Sequence, residues 1–117
     1  IPNVVTCQAP LVLRISGNVF FGSVERLDNA FSTLAIKDGR KSTLIIVADY
    51  LLDIDESGVM ALKAEINRRK HKNADVFLML RNKRVIECLQ RGGVFDLLGN
   101  DHVITHYLEG SSLHDPE

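Results

Sequence analysis

Apolar residues along this chain recur at two spacings, and the changes between them divide it into elements. Val4-Val5-Thr6-Cys7 is short and β-branched, and Gln8-Ala9-Pro10 breaks it. Leu11-Val12-Leu13-Arg14-Ile15 follows as a second strand, and the tight connection predicts an antiparallel hairpin. Ser16-Gly17-Asn18 reads as a turn, with Val19-Phe20-Phe21 as an apolar patch after it. From Ser23, a side-chain N-cap by type, the spacing becomes helical: Val24, Leu27, Phe31 and Leu34 share one face, and Asp38-Gly39 ends the helix. Leu44-Ile45-Ile46-Val47 is an unbroken apolar run, which predicts a strand buried on both faces inside a parallel sheet.

A second helix is expected from Ser57 to Lys72, with Val59, Leu62 and Ile66 inward. Asp55 and Glu56 at its start and Arg68, Arg69 and Lys70 at its end complement the helix dipole. Asn73-Ala74-Asp75 breaks it, and Val76 to Leu80 forms another buried strand. A short helix follows from Lys83 to Arg91, with Val85, Ile86 and Leu89 inward, and Gly92-Gly93 stops it. His102-Val103-Ile104 reads as a last strand, with room for a final short helix, and the tail from Gly110 is polar. The order β-β-α-β-α-β-α-β implies right-handed parallel crossovers, with the first strand added antiparallel at an edge. That edge is open to pairing with a second copy, as a homodimer.

Composition narrows the function. The chain has 117 residues, 14 Lys and Arg against 15 Asp and Glu, and a formal charge of −1. Such a length fits one domain, with an ordered core expected over about 3–109 and a frayed tail over 110–117. Near-neutral charge argues against nucleic acid as the main partner. No apolar run is long enough to span a bilayer. The start, Ile1-Pro2-Asn3, has neither an initiator Met nor a basic leader, so a processed or excised piece is expected. Cys7 and Cys88 have no disulfide-like spacing and are expected as free thiols in a reducing compartment.

Chemistry concentrates at Asp53-Ile54-Asp55-Glu56-Ser57-Gly58, where a strand hands over to a helix. In open α/β sheets the carboxyl ends of strands are where ligands and partners bind. Local physics first suggests helix capping, by Asp55 or by Ser57. The functional alternative is a phosphoacceptor Ser57, whose modification beside three carboxylates would act as a repulsive switch.

Other chemistries fit less well. Gly39-Arg40-Lys41-Ser42 lacks the adjacent Gly-Lys and upstream glycine of a phosphate-binding loop. His102 and His106 lie about 13 Å apart on an extended chain, too far to share a metal. Ser57 has neither a histidine placed as base nor a nucleophile elbow. Asp49, Asp53 and Asp55 lack the further acidic residues of a magnesium-dependent receiver, since Ser16-Gly17-Asn18 stands where those would be. No metal, cofactor or catalytic residue is therefore expected. Arg68, Arg69, Lys70, Lys72, Arg81, Lys83 and Arg84 read as a solvated helix end and loop, or as a docking face for anionic lipid or an acidic carrier protein.

An apolar strand, then Asp-x-Ser-Gly at Asp55 to Gly58, then an apolar-lined helix resembles the STAS domain. That domain is shared by bacterial anti-sigma factor antagonists and the cytoplasmic tails of sulfate permease family anion transporters. The stretch Leu13 to Ser23, with Gly17 and the Phe20-Phe21 pair, resembles the transporter branch, and Val85 to Gly93 resembles the family's third helix and its glycine stop. The resemblance implies an α/β fold with one mixed, mostly parallel sheet of about five strands. It implies a non-catalytic regulatory module at the cytoplasmic face of the membrane, whose partner is the membrane domain of the same transporter. A cytoplasmic protein or kinase, or a nucleotide, is a further partner in the family. It places Ser57 as regulatory phosphoacceptor, and Asp53, Asp55, Glu56, Ser57 itself, Gly58, Asn18, Phe20 and Phe21 as the surface for partner or nucleotide. A free-standing antagonist switched at Ser57 and a nucleotide sensor are the alternative readings.

Overall fold

The computed structural model describes residues 10–19 and 24–105. The Val4–Cys7 strand, the Ser23 cap, Phe20, Phe21, His106 and the C-terminal tail of the sequence reading lie outside the described residues. Among the described residues, four strands, β1 (Leu11–Val19), β2 (Leu44–Ile54), β3 (Val76–Leu80) and β4 (Val103–Thr105), form one sheet in sequence order. All three pairings are parallel. Between them run α1 (Val24–Asp38), α2 (Glu56–His71), α3 (Lys83–Arg91), α4 (Val94–Leu98) and a 3-10 turn at Asn100–His102.

Strand order decides where the core sits. When each parallel strand is added beside the last in one direction, right-handed crossovers put every connecting helix on the same face. Leu44, Ile46 and Ala48 of β2 and Val76, Leu78 and Leu80 of β3 are buried on that face. Phe31 of α1, Leu62 and Ile66 of α2, and Val85 and Leu89 of α3 complete the same core. The alternate residues Ile45, Val47, Phe77 and Met79 are only half-buried, and Val12 and Ile104 are exposed. The expectation of burial on both faces is thus corrected to one face. An apolar run signals a doubly covered strand only when crossovers fall on both sides of the sheet.

The expected turn at Ser16-Gly17-Asn18 is also corrected, because β1 continues through it to Val19. Gly17 has φ of 76°, in the left-handed region that glycine adopts without strain. The β1–β2 register shifts between Arg14 and Ser16, and again between Gly17 and Asn18, each time with an extra residue on β2. Each shift resets which side chains face the helices. Leu51 and Ile54 are buried in consequence, while Tyr50 and Leu52 face outward.

Candidate functional site

The two shifts carry β2 beyond its apolar run to the acidic turn. Asn18 and Asp53 become register partners, as do Val19 and Ile54. The structure therefore brings Asn18 beside the Asp53–Gly58 turn, although 35 positions separate Asn18 from Asp53 in sequence. Asp53 Oδ1 accepts from the Ile54 amide at 2.9 Å. Arg84 Nη1, at the start of α3, lies 3.9 Å from Asp53 Oδ2. The Cys88 thiol donates to the Ile54 carbonyl at 3.3 Å, tying α3 to the end of β2. Cys88 is a free cysteine.

Capping at the turn belongs to Asp55. Its backbone is extended, and its Oδ1 accepts from the Gly58 amide at 3.0 Å. The Val59 amide then bonds the Asp55 carbonyl and opens the helical ladder. Capping by Ser57 is corrected, because a residue already in the first turn cannot occupy the position before it. Ser57 is partly exposed and faces an open groove between α1 and α2, with Glu25, Asp28, Met60 and Arg68. Glu56 projects to solvent, and Gly58 is buried. The exposed surface of the turn is thus acidic, on a backbone held by its own carboxylates.

One polar cluster escaped sequence reading. Arg69, grouped there with a solvated helix end, is fully buried, as is Glu65. Glu65 receives three guanidinium groups: Arg40 Nε at 3.0 Å from each carboxylate oxygen, Arg68 Nη1 at 3.1 Å and Arg69 Nε at 3.1 Å. Arg69 Nη1 also reaches Asp38 Oδ2 at 3.3 Å and donates to the Ser42 carbonyl at 2.8 Å. Burial raises the Asp38 pKa, but hydrogen bonds from the Ser42 and Arg40 amides and from Arg69 outweigh it, so the carboxyl sits below its ordinary value. A signal was available: Leu62, Glu65, Ile66 and Arg69 follow the three- and four-residue spacing of the buried stripe.

The STAS domain family model matches residues 2–108. The chain belongs to the STAS domain family. A curated relative, "Putative sulfate transporter YvdB" of Bacillus subtilis (strain 168), is 28% identical over 95 residues. The match takes in 81% of this chain and 18% of YvdB, so this STAS domain spans under a fifth of that relative's length. A sulfate transporter family protein from Wolinella succinogenes shares the fold, with TM-score 0.70 and 24% identity over 89% of this chain and 85% of that one. The anti-sigma factor antagonist SpoIIAA in its unphosphorylated form shares it about as closely, with TM-score 0.67 and 18% identity over 88% and 84%. Fold alone therefore does not separate the two STAS branches. Among the described residues no helix is long and apolar enough to cross a membrane.

Proposed function

We propose that this STAS domain is the non-catalytic regulatory and docking module of a sulfate permease family anion transporter, lying at the cytoplasmic face of the membrane. Its partner is the membrane domain of the same protein, and the contact is the acidic turn at Asp53, Glu56 and Ser57. The observation that carries this reading is the sequence match to YvdB, which takes in most of this chain and a small fraction of the relative. The turn suits docking because its backbone is fixed and its charge is presented outward, so little order is lost on contact.

Labelled sulfate uptake in cells expressing the full-length transporter tests the proposal. Charge reversal by Glu56→Lys together with Asp53→Lys is expected to change uptake severalfold at equal membrane abundance. Unchanged uptake would refute a role for the turn.

A phosphoswitch at Ser57 is the second reading, favoured by the partial exposure of Ser57 in the first turn of α2. A phosphate there would enter a groove holding Glu25 and Asp28 against Arg68, so it would repel rather than dock. Under this reading Ser57→Asp abolishes partner binding and Ser57→Ala preserves it. Equal affinity of the two variants would end it.

A further inference from the structure

The C-terminal ends of α1 and α2 enclose a second open groove, of about 620 Å³. Ala35 and Gly39 leave room in it, Arg40, Arg68, His71 and Lys72 line it, and among the described residues none of its lining is acidic. The carboxylates that these arginines and Arg69 bond, Glu65 and Asp38, are already engaged. Three guanidiniums, those of Arg40, Arg68 and Arg69, meet these two carboxylates, which leaves an excess positive charge before Lys72 is counted.

The donors are only partly used. Arg40 spends Nε on Glu65, and its two terminal nitrogens have no hydrogen-bond partner among the described residues. Arg68 spends Nη1 alone. Both side chains keep access to solvent, at 22% and 47% exposure. Arg40 also holds φ of 62°, in the left-handed region that is strained for a non-glycine residue. Glycine there would relieve that strain but would lose the guanidinium.

Glu65 holds the guanidiniums of Arg40 and Arg68, and both residues line this groove, Arg68 standing at the ridge it shares with the groove beside Ser57. Pre-positioned forked donors suit a tetrahedral oxyanion, which they bind through charge-assisted hydrogen bonds. Near-neutral overall charge makes this a local feature rather than a general basic field.

We infer that this groove binds a tetrahedral oxyanion dianion, of the phosphate monoester or sulfate type, between Arg40, Arg68 and Lys72. Its centre lies toward the other end of α2 from the acidic turn, and Arg68 is the residue that also lines the groove beside Ser57. The 16 residues of α2 set its two ends about 24 Å apart.

Nuclear magnetic resonance titration of the 117-residue chain tests the inference, with sodium sulfate and sodium phosphate added at constant ionic strength against sodium chloride. Saturable shifts are expected at Gly39, Arg40 and the Arg68 to Lys72 amides. Arg68→Gln and Lys72→Gln should each weaken binding about tenfold without moving the thermal midpoint by more than a few degrees. Vesicles of phosphatidylcholine with and without phosphatidic acid separate the sources. Retention on phosphatidic acid that both variants abolish assigns a lipid headgroup, and titration without retention assigns a free ion. No saturable shift and no retention, or binding that both variants leave unchanged, would overturn the inference.

Discussion

Asp55 turns the chain from strand into helix with one side-chain oxygen, so its contribution can be isolated by substitution. Asp55→Ala leaves the Gly58 amide without that acceptor and should cost about 1 kcal/mol in urea unfolding. Asp38 sets an acid limit in a different way. Its folded pKa is depressed, so its contribution to stability is present above the ordinary carboxyl value and is lost as pH falls through the folded one. Unfolding free energy should therefore drop below about pH 4, and Asp38→Asn should flatten that part of the profile. An equally steep acid limb in the variant would assign the loss to other carboxylates. The Asp55 cap was among the alternatives legible in sequence, because type and position name it. Burial of Arg69 was not read, because a run of basic residues at a helix end ordinarily lies in water.

At the scale of elements, α1, α2, α3, β3 and the apolar first part of β2 were legible because each carries one period. Lys83–Arg91 matches the expected helix at both ends: Asn82 Oδ1 accepts from the Arg84 and Val85 amides, and Gly92 and Gly93 close it. The extension of β2 from Ala48 to Ile54 was not legible. Two register shifts break its alternation, and Asp49 and Asp53 resemble loop residues. The stop at Gly92 has a packing reason too. A Cβ there would lie 2.5 Å from Val59 Cγ1, on a stiff β-branched side chain of α2. Gly92→Ala should destabilise by about 1–3 kcal/mol, and adding Val59→Ala should recover most of that loss. If the double variant is as unstable as the sum of the singles, the contact is not the cause.

The whole molecule places two opposite surfaces at the two ends of α2. The acidic turn lies at the carboxyl end of β2, and the arginine groove lies at the far end of the helix. The Glu65–Arg69 cluster ties the end of α1 to α2 and to the Ser42 carbonyl just before β2. Fold class was legible from element order, but the one-sided core was not, because it depends on strand order as well as on periodicity. The most direct measurement of the central claim, docking of the turn on a membrane domain of the same protein, is photocrosslinking in the full-length protein. A photoreactive residue is placed at Glu56 in the turn, or at exposed Glu87 on α3 as control. Crosslinks from position 56 to the membrane domain, with none from position 87, are the predicted result. Equal crosslinking from both positions, or none from position 56, would contradict docking through the turn.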